Sequence, residues 1–154
     1  MTIPPTIERW HRIALERRAD ELTDILAEDA VFESPVVHTP QEGKAIVAAY
    51  LRGALEVLNT QHFRYGEEWF SGASGGSTDA SLRDAAHHEG AGSAVLEFYS
   101  EIDGITINGI DIITWNERGL ITHFKVMVRP LKAINMLHQK MGEYLVKSGA
   151  AKSK

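Results

Sequence analysis

Three consecutive strand-like segments near the C-terminal end of the chain constrain its fold more than any other feature. They span residues 94–103, 105–115 and 120–129, and apolar and polar side chains alternate in the first and third. Gly104 alone separates the first two, and the four residues 116–119, Asn-Glu-Arg-Gly, separate the second from the third. Connections as short as these join neighbouring antiparallel strands, so the sequence predicts an antiparallel sheet.

Helix-like segments lie on both sides of these strands. Apolar residues recur at spacings of three and four in residues 6–26 and 44–58. Pro130 can open a last helix, whose inner face is predicted to carry Leu131, Ile134, Leu137, Met141 and Leu145. Because helices and sheet each have an apolar face to bury, we expect an α+β fold with helices on the concave face of a curved, cone-shaped sheet. The open end of such a cone is a natural ligand site.

The bulk properties of the sequence exclude several classes of protein. Its 154 residues fit one domain, which we expect to span residues 1–148, followed by a tail of residues 149–154. A net charge of −5 without a basic cluster argues against nucleic-acid binding. No apolar run approaches the ~20 residues of a membrane helix. Residues 1–10 lack the features of a signal peptide, so we expect a cytoplasmic protein.

The sequence contains no cysteine, which excludes disulfides, thiolate nucleophiles and cysteine-ligated metals. His87, His88 and Glu89 could form a metal cluster, but they lie in the Gly- and Ser-rich segment 71–93. We interpret that segment as a long loop, either a lid or disordered, without a scaffold to orient ligands. We therefore expect neither a metal nor a cofactor.

Two segments carry a family resemblance. The sequence LAEDAVFESPVVHTPQEGKAIVAAYLRG, residues 26–53, and the sequence GIDIITWNERGLITHFKVMVRPL, residues 109–131, resemble the nuclear transport factor 2-like superfamily and, within it, the SnoaL-like and ketosteroid isomerase branch. The first segment is similar to that family's pattern of acids, strand, proline, glycine and helix, and the second to its paired last strands. The resemblance implies a conical α+β roll of the cystatin-like kind with an interior pocket.

The same resemblance implies a homodimer formed through the outer face of the sheet. Ile110, Ile112 and Met127 are expected on that face and fit such an interface. His123 is expected there too, in a surface or dimer role. Glu97 and Glu101 are expected to pair across strands with the cationic residues Lys125 and Arg129.

The resemblance also allows a test for ketosteroid isomerase activity, which needs a carboxylate base and hydrogen-bond donors for a dienolate oxygen. Asp111 matches the position of that family's donor acid. Ser34 stands at the position of the base, Trp10 at that of the donor tyrosine, and Leu51 at that of the supporting tyrosine. Because a serine hydroxyl stays protonated at neutral pH, isomerase activity by the usual aspartate base is rejected.

Asp111 is the main candidate for function because it lies between Ile110 and Ile112 in an apolar strand. Burial disfavours the charged form and should raise the pKa of this acid. It would then be a neutral hydrogen-bond donor or a general acid–base. The structural alternative is an acid bonded to Trp10 Nε1–H, Ser34 or backbone. His38, at the expected cavity mouth, is a second catalytic candidate, although a loop histidine can simply be solvated.

The predicted ligand-binding residues are those expected on the cavity wall. Core packing is the competing interpretation for the large aromatic members of this set. The full set is Trp10, Phe32, Ser34, Tyr50, Phe98, Ile113, Trp115, Phe124, Val126 and Val128.

Three functions remain open from the sequence. The first is binding of a small apolar or cyclic molecule in an internal pocket. The second is acid–base catalysis by Asp111 in an enzyme that resembles polyketide cyclases or isomerases. The third is a protein-interaction module, which predicts a filled cone and an exposed apolar patch near its mouth.

Overall fold

The computed structural model describes residues 2–72 and 91–149. Most of the predicted loop 71–93, including His87, His88 and Glu89, lies outside the described residues, as does the tail beyond Gly149. Within the described residues no helix is both long enough and apolar enough to cross a membrane.

The described chain is a mixed α+β structure. Its helices are α1 Pro5–Glu16, a short α2 Leu22–Ile25 preceded by a 3₁₀ turn at Ala19–Glu21, α3 Lys44–Leu58 and α4 Leu131–Ser148. Its strands are β1 Leu26–Glu33, β2 Gln41–Glu42, β3 Arg64–Ser71, β4 Gly92–Ile102, β5 Ile105–Trp115 and β6 Ile121–Arg129. The helices and the strands β4 to β6 follow the order that the sequence predicts.

The strands form one curved, unclosed sheet in the order β2-β1-β6-β5-β4-β3. β4, β5 and β6 pair antiparallel through the two short turns, as predicted. β1, however, pairs parallel with β6, so the sheet is not antiparallel throughout. This pairing is possible because a long connection containing α3 and β3–β5 lies between the two strands.

The core lies between the inner face of the sheet and the helices. Phe98, Ile113 and Phe124 are almost fully buried there, together with Ile7 of α1 and Leu51 of α3. Gly109 also lies on the inner face, and a Cβ at that position would overlap the Phe98 ring. The bare backbone of Gly109 therefore lets this ring lie flat on β5. The helices thus pack on the concave side of the sheet, as expected.

Three details of the sequence-based prediction are wrong. Leu131 is 70% exposed, because it begins α4 beyond the edge of the core, whereas Ala133 and Leu137 are buried. Glu97 and Glu101 do not pair with Lys125 and Arg129, because β5 separates β4 from β6. His123 lies on the outer face as predicted but is only 4% exposed, so it is not a surface residue.

Candidate functional site

Asp111 lies in the middle of β5 with its side chain on the inner face of the sheet, and it is 6% exposed. In register it stands between Leu96 of β4 and Val126 of β6. Its Oδ2 accepts a hydrogen bond from the Tyr65 hydroxyl at 3.1 Å. That hydroxyl accepts a hydrogen bond from Trp10 Nε1–H at 2.8 Å. Side chains from α1, β3 and β5 therefore form a chain of hydrogen bonds that ends on the acid.

A bulge in β3 brings Tyr65 and Glu68 to the same face of the sheet. Tyr65 lies opposite Phe98 and Glu68 opposite Leu96, so three steps along β3 match two along β4. The Glu68 carboxylate contacts His11 Nε2 at 2.5 Å. This contact ties β3 to α1 beside the Tyr65 ring, and so helps to hold the phenol in place.

Burial dominates the electrostatics of the acid. It raises the pKa of Asp111 from 3.8 to about 7, although the hydrogen bond from Tyr65 acts in the opposite direction. Burial, with the nearby charge of Asp111, raises the pKa of the Tyr65 hydroxyl well above 10, so that group remains a donor. Near neutral pH, Asp111 is thus present both as a neutral acid, which can donate, and as a carboxylate, which can only accept.

The structure places Asp111 on the inner wall as predicted but changes its partner. The sequence left Trp10 Nε1–H, Ser34 or backbone open as structural partners of the acid, whereas in the structure Tyr65 lies between Trp10 and Asp111. Sequence reasoning missed Tyr65. Its only signal was its position in a strand-like segment, and the bulge that directs Glu68 inward leaves no trace in the alternation pattern.

The acid faces a small inner cavity of about 20 Å³. This volume accommodates one water-sized group, since a cavity needs roughly 10–15 Å³ to hold a water. Its lining includes Trp10, Tyr65, Asn59, Phe98, Asp111 and Phe124. The acid and its hydrogen-bond partners thus surround a space that holds one water-sized group.

An outer cavity of about 160 Å³ lies beside it. The walls come from the β1 end and the loop that follows it, from α3 and from α4, and almost all of them are apolar. The principal lining side chains are Phe32, Pro35, Tyr50, Leu137, Met141 and Leu145. His138 also lines this cavity and is exposed.

Three side chains line both cavities, namely Ala54 and Leu58 of α3 and Val126 of β6. They form the border between the outer cavity and the smaller cavity that contains Asp111. The predicted ligand pocket is therefore divided into two adjoining parts.

The predicted ligand-binding residues divide accordingly. Those of the outer cavity are Phe32, Ser34 and Tyr50, those of the inner cavity are Trp10, Phe98 and Phe124, and Val126 lines both. Ile113, Trp115 and Val128 line neither of the two. Trp115 instead covers Gly92, where its indole leaves no space for a Cβ.

Neither Ser34 nor His38 is placed as a general base. Ser34 Oγ accepts hydrogen bonds from the backbone N–H groups of Val36 and Val37, at 3.1 and 2.9 Å, and so holds the turn after β1. His38 is exposed and lines neither cavity. Within residues 2–72 and 91–149 no group of three potential metal-ligating side chains is present.

Comparison with known proteins decides the family. A model of the SnoaL-like domain matches residues 7–124. The chain belongs to the SnoaL-like domain family, as the resemblance implied. No curated protein matches the sequence.

Solved structures agree with this SnoaL-like assignment. A steroid delta-isomerase from Pseudomonas aeruginosa is 32% identical with a TM-score of 0.75, and the match covers 95% of this chain and 93% of that one. A protein with a cystatin-like fold from Silicibacter pomeroyi DSS-3 is 27% identical with a TM-score of 0.74, covering 95% and 89%. An NTF2-like protein of unknown function from Mesorhizobium loti shares the fold at 13% identity, with a TM-score of 0.55 over 81% and 88%.

Proposed function

We propose that this SnoaL-like protein binds a small apolar molecule in its interior cavities and recognises one polar atom of that molecule through Asp111. The observation that carries the proposal is the juxtaposition of an apolar cavity of about 160 Å³ with a chamber that contains a buried acid. Pockets of this kind, apolar with a few convergent polar groups, are typical ligand sites.

Asp111 can serve two kinds of ligand oxygen. Tyr65 donates to Oδ2, which leaves Oδ1 to carry the proton when the acid is neutral. The neutral acid can then donate to a carbonyl oxygen, whereas the carboxylate can accept from a hydroxyl. Because the pKa of Asp111 is about 7, both forms are available near neutral pH.

Acid–base catalysis by the same residue is the second candidate. It is supported by the 32% identity to a steroid delta-isomerase and by a raised pKa suited to proton transfer. Among the described residues, Asp111 is the only carboxylic acid that lines the inner cavity. A single acid would have to take up and return the proton itself, so binding is the function that the geometry supports best.

The test is a binding screen of small cyclic ketones and alcohols by thermal shift at pH 6, followed by isothermal titration of the compounds that stabilise the protein. We expect Asp111→Asn to weaken binding of a ketone about tenfold, because an amide is a weaker donor than a carboxylic acid. Asp29→Asn, which changes an exposed acid on β1, serves as the matched control and should leave affinity unchanged.

A ketone that bound equally well to the wild-type and Asp111→Asn proteins would contradict the role of the acid. Turnover is followed on the same compounds by NMR. A product whose formation stops in Asp111→Asn would favour the acid–base enzyme over a binding protein.

We also infer that two copies pair through the outer face of the sheet. Trp69 and Met127 are 53% and 55% exposed on this face, beside the half-buried Ile110 and Ile112. We expect a dimer by sedimentation velocity at micromolar concentration, and a monomer for Ile112→Glu, since a charge there opposes burial of the patch. A wild-type monomer at that concentration would contradict the inference.

A further inference from the structure

We infer that the ligand is one apolar ring, or a branched chain of that size, carrying a single oxygen at one end. The inference rests on the proposed function and adds the chemical class of the ligand. It follows from two adjoining cavities of very different size, of which the smaller one is lined by the Asp111 carboxyl group.

The outer cavity limits the size of the apolar body. Its volume of about 160 Å³ resembles that of an engineered apolar cavity of about 150 Å³ that binds benzene. Pockets for larger ligands of drug size span roughly 300–1,000 Å³. A single ring therefore fills the outer cavity, whereas a fused multi-ring skeleton exceeds it.

The inner cavity limits the polar end. Its volume of about 20 Å³ holds one oxygen-sized group beside Asp111. Trp10 donates to Tyr65, Tyr65 donates to the acid, and Asn59 Nδ2 donates to the Ala14 carbonyl, so the Asp111 carboxyl is the group that we expect to meet a ligand oxygen. A ligand with several polar groups would leave the others in the apolar outer compartment, where each lacks a hydrogen-bond partner.

Because the two cavities share a wall, one ligand molecule can place its apolar ring in the outer cavity and its oxygen in the inner cavity. Ala54, Leu58 and Val126 border both cavities. An oxygen bonded directly to a ring can pass this wall while the ring remains outside it. Leu58 is the largest of the three side chains and lies at the end of α3, so its rotamer decides whether the compartments connect.

The last helix, α4, forms the opposite wall of the outer cavity. A Cβ at Gly53 of α3 would lie 2.8 Å from the Met141 methyl group and 3.0 Å from the Tyr144 ring. The glycine thus allows α4 to pack directly on the α3 backbone. Leu137 and Met141 of this helix line the outer cavity and bound the space for the ligand on that side.

The experiment is a titration of a matched ligand series at pH 6, with affinities measured by isothermal titration calorimetry and ligand-observed NMR. The series contains cyclohexanone, 1-decalone, a four-ring 3-ketosteroid, and methylcyclohexane as the ring without oxygen. We expect cyclohexanone to bind at least about tenfold more tightly than each of the other three. Met141→Ala should recover decalone binding, while Leu131→Ala, at an exposed leucine of the same helix, should not.

The outcomes separate this inference from the proposed function. If decalone or the steroid binds the wild-type protein as tightly as cyclohexanone does, the size limit is wrong and the proposed function stands. If methylcyclohexane binds as tightly as cyclohexanone, the single-oxygen requirement is wrong. If no member of the series binds, the proposed function itself is overturned. The wild-type series decides between these outcomes even if Met141→Ala does not fold.

Discussion

The sheet carries a shielded acid on each of its faces, and the two acids have opposite kinds of neighbours. On the inner face, Asp111 receives a hydrogen bond from the neutral Tyr65 hydroxyl. On the outer face, the Glu33 carboxylate lies 2.6 Å from His123 Nε2 and 3.4 Å from Lys125 Nζ. The outer acid has basic partners that satisfy a carboxylate, whereas the inner acid has neutral ones.

This difference indicates which acid is structural and which is available for function. Glu33 and His123 bind β1 to β6 at their parallel pairing, so their contact stabilises the sheet. The hydrogen-bond partner of Asp111 is the neutral Tyr65 hydroxyl, and burial disfavours the charged form of the acid. A buried acid without a cation lowers stability, and such sites are often functional.

The largest expected effect that tests this difference between the two acids is the pH dependence of the free energy of unfolding. The pKa of Asp111 is 3.8 when exposed and about 7 when folded, so the folded state binds more protons between these values. Stability is then lost as pH rises from 4 to 7, by about 4 kcal/mol in total. Asp111→Asn has no carboxyl group to ionise, so its free energy of unfolding should not fall in this way. Relative to the wild-type protein, it should become about 4 kcal/mol more stable between pH 4 and pH 8.

The measurement is urea unfolding at several pH values, with Asp29→Asn as the control for an exposed acid. Parallel pH profiles for the wild-type and Asp111→Asn proteins would show that folding does not raise the pKa of the inner acid.

Removing the charge of the outer acid should have a smaller effect. Glu33→Gln keeps an acceptor for His123 but loses the attraction to Lys125. Because both partners are partly shielded, we expect a loss of about 1–2 kcal/mol in the free energy of unfolding, reduced in high salt. Glu28→Gln, which removes an acid exposed to 90% and paired with Lys44, is the control. A gain in stability from Glu33→Gln would reverse the assignment of the two acids.

The smallest effect concerns the donor to Asp111. Tyr65→Phe removes the hydrogen bond that opposes the effect of burial, so the pKa of Asp111 should rise by about half to one unit. Titration of the ¹³C-labelled carboxyl by NMR measures this shift. Tyr99→Phe, on the outer face of β4, should leave the pKa unchanged. A lower pKa in Tyr65→Phe would mean that Tyr65 accepts from the neutral acid in the wild-type protein.

The sequence predicts the fold and the inner acid for identifiable physical reasons. Alternation and short turns define the meander of β4 to β6, and the spacing of apolar residues gives α3 its bounds of Lys44–Leu58. Asp111 shares its face of β5 with Ile113 and Trp115, so the strand that buries these side chains carries the acid into the core with them.

What the sequence does not predict depends on contacts between distant segments. Glu68 lies on the same face as Tyr65 because of a bulge between them, which the local sequence pattern does not predict. His123 and Glu33 are 90 positions apart and meet only because β1 pairs parallel with β6. The division of the pocket depends on the volumes of Ala54, Leu58 and Val126 together, which no single segment contains.

The close contact at Gly53 links occupancy of the pocket to the order of the last helix. Because α4 rests on the α3 backbone at this point, it is both a part of the core and a wall of the outer cavity. A ligand that fills the cavity adds contacts to α4, so part of its binding free energy holds that helix against fraying and local opening. Slower exchange of the α4 amide hydrogens would therefore report that a ligand is bound before its chemical identity is known.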